Sequence, residues 1–91
     1  MNTMTGEPIL VIDDEPDMRI ALAHALSTSG FDVATAADGT EGVKRFERER
    51  FNMVITDMKM PAMSGMDVLK RIKTMSPHVP VIMITAYGTI G

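Results

Sequence analysis

The sequence predicts an α/β fold in which helices cover a parallel β-sheet. Four short apolar runs recur between residues 9 and 84, stretches of helical periodicity separate them, and three of the runs lead directly into polar residues. Alternating strands and helices are typical of βαβ units, and parallel strands buried on both faces have continuous apolar sequences. We therefore predict seven elements in the order βαβαβαβ within one compact unit.

The first two elements are a buried strand and an amphipathic helix. The apolar run Ile9–Ile12 stops at the acidic pair Asp13 and Asp14, as expected for a strand with a polar carboxyl end. Pro16 suits the first position of a helix, where its missing N–H costs nothing, and Gly30 suits the end. The apolar positions that repeat along this helix are Met18, Leu22, Ala25 and Leu26.

The second unit is a strand over Phe31–Ala36 followed by a helix. The strand alternates well enough in polarity, and Asp38 is a suitable N-cap for a helix that continues to about Glu49. Val43 and Phe46 are expected to point inward from this helix.

The third unit leads into another carboxylate. The apolar run Phe51–Thr56 predicts a strand that ends at Asp57. Ser64 and Gly65 then begin a helix that ends at Ser76. The apolar positions that share one face of this helix are Val68, Leu69, Ile72 and Met75.

A fourth apolar strand, Val81–Ile84, ends at Thr85. In open α/β sheets, ligands bind at the carboxyl ends of the strands. We therefore expect the polar residues that follow these strands, Asp13, Asp14, Asp57 and Thr85, to converge in one cleft. Clustered carboxylates repel one another unless a cation offsets their charge, and an oxygen-only donor set suits Mg²⁺.

Composition excludes several classes of function. The net charge is −3, with 12 acidic and 9 basic residues, so direct binding of this segment to nucleic acid is not expected. The absence of cysteine excludes disulfides, thiolate metal sites and a cysteine nucleophile. There is neither a secretory signal nor a run of about 18 apolar residues that could span a membrane. We expect a cytoplasmic protein.

Each candidate residue also has a purely structural interpretation. Asp13 and Asp14 could cap the following helix, and Asp57 could form a turn before Pro61. The methionines of the loop after Asp57 could form a soft metal site, although loop and core packing is the simpler interpretation without Cys or His beside them. His24 is interpreted as a partly exposed helix residue and not as a phosphodonor, and His78 as a solvated loop residue.

Three motifs carry a specific resemblance. They are Val11–Pro16, then Ile55–Pro61 with Gly65, then Pro80–Gly88. Together they resemble the receiver domains of two-component response regulators. The resemblance implies a flavodoxin-like, doubly wound parallel sheet with the strand order 2-1-3-4. It also implies a phosphorylatable regulatory domain that catalyses only its own phosphorylation and dephosphorylation.

The resemblance also implies roles for individual residues. Asp57 would accept the phosphoryl group from a sensor histidine kinase. Asp14 and Asp57 would bind Mg²⁺ together with the backbone carbonyl of Lys59, and Asp13 would help through water. Thr85 would be the hydroxyl residue that moves toward the phosphoryl group.

Lys59 and Tyr87 would modulate the lifetime of the phosphorylated state. The wording Ala-Tyr-Gly-Thr after the fourth strand is similar to receivers of σ54-dependent NtrC-type activators, which implies an AAA+ and DNA-binding output in the parent protein. Two other functions remain open: a receiver-like binding or dimerisation module without phosphotransfer, and an aspartate-nucleophile phosphatase of the haloacid-dehalogenase type. The adjacent Asp13 and Asp14 fit the Asp-x-Asp arrangement of that phosphatase poorly.

Compared with the family, residues 1–91 are expected to form an incomplete receiver, without the last strand, its lysine and the last two helices. This expectation predicts weak phosphorylation. It also predicts that the chain self-associates through the exposed edge of the fourth strand, exchanges elements between copies, or depends on a separate segment.

Overall fold

The computed structural model describes residues 7–85, which form four strands and three helices. The elements in chain order are β1 (Pro8–Ile12), α1 (Pro16–Thr28), β2 (Asp32–Ala36), α2 (Gly39–Arg48), β3 (Met53–Asp57), α3 (Gly65–Met75) and β4 (Val81–Ile84). All strand pairs are parallel, and the order across the sheet is β2-β1-β3-β4. The predicted fold class and strand order are confirmed.

The register of the sheet brings the carboxyl ends of β1, β3 and β4 together. Ile12, the last residue of β1, pairs with Thr56. Asp57, the last residue of β3, pairs with Ile84 at the end of β4. Because β1 lies between β2 and β3, the direction of strand addition reverses beside β1, and this reversal is the position at which open α/β sheets bind ligands.

Two apolar clusters cover the faces of the sheet. The larger lies under α2 and α3 and consists of Leu10, Ile12, Ala36, Val43, Phe46, Phe51, Val54, Val68 and Ile72. The smaller lies under α1 and has Ile9, Val11 and Ile55 as its buried members. No residue of α1 is fully buried, and Leu22 and Leu26 pack against the smaller cluster half-buried. The side of the sheet that α1 covers is therefore the more thinly protected one.

Local capping explains where the helices begin and end. Gly30 has a φ of 101°, and its N–H donates to Ser27 while the N–H of Phe31 donates to Leu26, which is a Schellman motif. Asp38 accepts from the N–H of Glu41 at 2.8 Å and so caps α2 as predicted. A capping box between Ser64 and Asp67 begins α3.

Three of the four strands differ from their predicted bounds by one or two residues, and β4 has the predicted bounds. β3 begins at Met53 and not at Phe51, because the register pairs Met53 with Ile9 near the start of β1. The Phe51 ring is still buried and stacks on Phe46, with 6.2 Å between the ring centroids. β3 includes Asp57, which was expected just after it. β2 begins at Asp32 and not at Phe31.

The predicted inward faces of the helices are correct for α2 and only partly correct elsewhere. Val43 and Phe46 are buried, as are Val68 and Ile72 of α3. Met75 is 39% exposed because it lies in the last turn of α3. Within residues 7–85, each helix is too short or too polar to cross a bilayer.

Candidate functional site

Three carboxylates meet at the carboxyl end of the sheet. Oxygen atoms of Asp13, Asp14 and Asp57 all lie within 4.8 Å of one another. Asp13 and Asp14 follow β1 directly, and Asp57 is the last residue of the adjacent β3. The convergence expected from the strand ends is therefore present for the three carboxylates.

Asp13 is the most enclosed member of the cluster. It is 2% exposed, and its Oδ1 accepts a hydrogen bond of 2.9 Å from the backbone N–H of Glu15. Burial raises the pKa of the Asp13 carboxyl above its ordinary value. The negative charges of Asp57, Asp14 and Glu15 raise this pKa further, and the hydrogen bond from Glu15 opposes them. Asp13 is thus ionised only against a local cost, which a bound cation would relieve.

Asp57 is held by its neighbours in β3 and by the start of α3. It is 8% exposed, and the hydroxyl of Thr56 donates to its backbone carbonyl at 3.1 Å. The N–H of Gly65 donates to the carbonyl of Met58 at 2.9 Å, so α3 begins close against this strand end. A Cβ at Gly65 would collide with the backbone carbonyl of Asp57, which explains why glycine stands there.

A small cavity of about 40 Å³ adjoins two of the carboxylates. Its lining residues are Asp13, Glu15, Met18, Asp57 and Ile84. Glu15 and Met18 belong to the start of α1 and were not predicted as site residues. The sequence distinguished Met18 only as an apolar position of that helix and Glu15 not at all, because their position beside the carboxylates depends on how α1 leaves β1.

The structure describes two of the other predicted site residues, Thr85 and Lys59. Thr85 is exposed and directly follows Ile84, the residue of β4 that pairs with Asp57. Lys59 is exposed in the loop two residues after Asp57. Tyr87 lies outside the described residues.

The donor set fits a hard divalent cation. Carboxylate oxygens are the ligands that Mg²⁺ prefers, and one or two of them suffice when water and phosphate oxygens complete the coordination. Asp13 and Asp57 are both buried, and they lie at the carboxyl ends of β1 and β3, the two central strands of the sheet. A cation between them would therefore be held by adjacent central strands.

Residues 9–91 match the model of the family described as "Response regulator receiver domain". The chain belongs to the response regulator receiver family. Among curated relatives, Sporulation initiation phosphotransferase F of Bacillus subtilis (strain 168) is 37% identical over 87 residues, which are 96% of this chain and 70% of that protein. Transcriptional regulatory protein GlrR of Escherichia coli (strain K12) is 38% identical over 82 residues, which are 90% of this chain and 18% of that protein.

This receiver is also similar to solved structures of the response regulator protein TrrA of Thermotoga maritima. The structure of TrrA with Mg²⁺ and BeF has a TM-score of 0.86 and 36% identity, over 90% of this chain and 71% of that one. TrrA in complex with the histidine kinase ThkA has a TM-score of 0.84 and 36% identity, over 91% of this chain and 72% of that one. The receiver fold and the two-component context are thereby shown.

Proposed function

We propose that this receiver accepts a phosphoryl group on Asp57 from a histidine kinase, with Mg²⁺ held by the acidic cluster. The single observation that carries the proposal is the convergence of three carboxylates within 4.8 Å at the end of the central strands. The ligands would be the carboxylates of Asp14 and Asp57 and the backbone carbonyl of Lys59, with Asp13 acting through water. A structural neighbour that holds Mg²⁺ and BeF supports the choice of ion.

The geometry favours Asp57 over its neighbours as the nucleophile. Asp13 is more enclosed, and one of its oxygens is engaged by the N–H of Glu15. Asp14 lies in the exposed loop beyond β1. Asp57 lies at the end of a central strand and lines the small cavity, so it combines a fixed backbone with access for a phosphodonor.

The reaction is an in-line transfer between a nitrogen and an oxygen. A carboxylate oxygen of Asp57 attacks phosphorus, the new P–O bond gives an acyl phosphate, and the P–N bond of phosphohistidine breaks with its electron pair retained by the imidazole. Bound Mg²⁺ would neutralise charge on the transferring group. The chain itself positions the Asp57 nucleophile, because the backbone of this residue is part of a central strand of the sheet.

The end of β4 would respond to phosphorylation. Thr85 follows Ile84, whose carbonyl accepts a hydrogen bond of 2.8 Å from the N–H of Met58, the residue after Asp57. In this proposal the Thr85 hydroxyl moves toward the phosphoryl group, and the loop after β4 moves with it. Lys59 and Tyr87 would then adjust how long the acyl phosphate survives.

The parent protein's partners are part of the proposal. This chain spans 18% of GlrR, so most of that protein lies outside the region of similarity. We propose a sensor histidine kinase as phosphodonor and an output domain, transcriptional and of the σ54-activator type, as the recipient of the signal in the cytoplasm. The assignment of residues 1–91 as an incomplete receiver stays a prediction.

The test is phosphorylation of the chain by a small phosphodonor. Incubation with acetyl phosphate and Mg²⁺ should add one phosphate, detected by intact mass, and Asp57→Asn should abolish it. Asp32→Asn is the matched control, because Asp32 is an exposed carboxylate at the start of β2. Phosphate that persists in D57N, or that is lost equally in D32N, would overturn the assignment.

A further inference from the structure

Arg19 of α1 contacts the acidic site from the neighbouring helix. Its Nη1 donates a hydrogen bond of 2.8 Å to the backbone carbonyl of Asp13, six residues earlier in the chain. The side chain is half-buried, and the backbone N–H of Arg19 donates to the carbonyl of Glu15 at 3.0 Å. The guanidinium therefore reaches back from α1 to the peptide that joins Asp13 to Asp14.

This contact adds to the hydrogen bonds that hold Asp13. The N–H of Asp13 donates to the carbonyl of Ala36 at 3.1 Å, and its Oδ1 accepts from Glu15 at 2.9 Å. With Arg19 on the carbonyl, both backbone polar groups and one carboxylate oxygen have defined partners. Rotation of the peptide after Asp13 would carry Asp14, the exposed member of the cluster, away from the other two carboxylates.

We propose that Arg19 is a positioning residue for the cation site. It holds the peptide between Asp13 and Asp14 and so sets the direction in which the Asp14 carboxylate points, without itself touching the cation or the phosphoryl group. This inference rests on the proposed function, because it concerns the same cluster.

Position and charge have opposite effects on cation affinity. Repulsion between the Arg19 guanidinium and a bound dication would weaken binding by roughly a few-fold, because solvent and salt screen the charges. Loss of a group that orients metal ligands typically weakens binding about 10- to 100-fold. The positioning effect is the larger, so removal of Arg19 should weaken Mg²⁺ binding even though it removes a repulsive charge.

The test combines Mg²⁺ titration calorimetry with amide NMR of the magnesium-free, full 91-residue chain. Arg19→Gln removes both the charge and the reach, whereas Arg19→Lys keeps the charge and one donor. Arg45→Gln is the matched control, because Nη1 of Arg45 donates to the backbone carbonyl of Thr35 at 3.1 Å along the edge strand β2. R45Q loses the same charge and the same kind of hydrogen bond, together with the ion pair between Arg45 and Glu49, at a position away from the acidic cluster.

We expect R19Q to weaken Mg²⁺ binding at least about threefold, R19K to lie between R19Q and the wild type, and R45Q to match the wild type. The Asp14 amide resonance should shift in magnesium-free R19Q and stay in place in R45Q. Binding by R19Q that is as tight as the wild type or tighter, or an unmoved Asp14 resonance, overturns the inference. A wild-type chain that binds no Mg²⁺ contradicts the proposed function, and the inference with it.

Discussion

The backbone N–H of Met58 donates a hydrogen bond of 2.8 Å to the carbonyl of Ile84. This contact joins the residue after Asp57 to the residue before Thr85. The end of the acceptor strand and the end of β4 are therefore one hydrogen-bonded unit. A change at the acceptor carboxylate can reach β4 through the backbone, and several expectations follow from this arrangement and from the site around it.

Replacement of Thr85 should separate phosphorylation from its structural response. In Thr85→Ala, Asp57 should still be labelled by acetyl phosphate, because the nucleophile and the acidic cluster are unchanged. The shift of the Ile84 amide on addition of beryllofluoride and Mg²⁺ should be lost in T85A and kept in Thr85→Ser, which retains the hydroxyl. NMR of the three chains measures this, and equal Ile84 shifts in T85A and the wild type would contradict a switching role for the hydroxyl.

Asp13→Asn should stabilise the metal-free protein near neutral pH. Burial and the neighbouring charges raise the pKa of the Asp13 carboxyl in the folded state. Folding therefore favours the protonated form of Asp13. The stabilising contribution of this carboxyl is fully present below its ordinary pKa of 3.8, and it is lost as the pH rises through the raised pKa of the folded state. Asparagine can still accept from the N–H of Glu15 and carries no charge, so urea unfolding in EDTA should give a higher free energy of unfolding for D13N.

Addition of Mg²⁺ should make the wild type more stable than D13N. At about 100 times its dissociation constant, a cation that binds only the folded state stabilises the protein by about 2.7 kcal/mol. D13N should gain less than the wild type, because it has lost one of the three carboxylates. Equal gains for the two chains would show that Asp13 does not contribute to cation binding.

Gly65→Ala should damage both stability and the acceptor site. The added Cβ would collide with the backbone carbonyl of Asp57 and lie 2.9 Å from Cα of Met58, and backbone atoms cannot rotate away as a side chain can. We expect a loss of about 3 kcal/mol, at the upper end of the range for overpacking, and slower labelling of Asp57.

Gly30→Ala provides the control for Gly65→Ala. Gly30 has a φ of 101° and open space around its Cα, so alanine there costs conformational strain of about 1 to 2 kcal/mol without a collision. Labelling of folded G30A should match the wild type. If G30A and G65A slow labelling equally, global destabilisation and not the contact with Asp57 explains the effect.

The outer edge of β4 should promote self-association. Within residues 7–85, β4 has a strand neighbour on one side alone, and Ile82 is 45% exposed on the face that it shares with Ile55. Unprotected edges pair with other chains, and an edge lysine prevents this. Ile82→Lys should therefore lower the average mass seen by sedimentation at high concentration, whereas Ile20→Lys on α1, at a position 65% exposed, should not. A wild-type chain that stays at 9.9 kDa at all concentrations would exclude the prediction.

The sequence predicted the parts of the site that depend on strand order. Apolar runs end directly at Asp13 and Asp57, and parallel strands place their carboxyl ends at one edge, so the meeting of these residues followed from pattern alone. Exact strand bounds did not follow, because the first paired residue of β3 depends on where β1 begins. The start at Met53 is a property of the register and not of local apolarity.

Contacts made by long side chains could not be predicted in the same way. Arg19 reaches a carbonyl six residues earlier, and no helical or strand period encodes that separation. Met18 and Glu15 line the small cavity because of the angle between α1 and β1, and no sequence period encodes that angle either. Gly65 was predicted as the start of a helix, whereas its close approach to the Asp57 backbone depends on how α3 packs against the end of β3.

Helix α1 packs on the sheet without a single fully buried residue. Detachment of α1 would expose less buried apolar surface than detachment of α2 or α3. Among the three helices, α1 should therefore exchange its amide protons with solvent first. Asp13 directly follows β1 and Asp57 is the last residue of β3, so the two would remain side by side during such an opening. Arg19 would move away with the helix and lose its hydrogen bond to the Asp13 carbonyl. The orientation of the Asp13–Asp14 peptide therefore depends on the fraction of time that α1 is packed on the sheet.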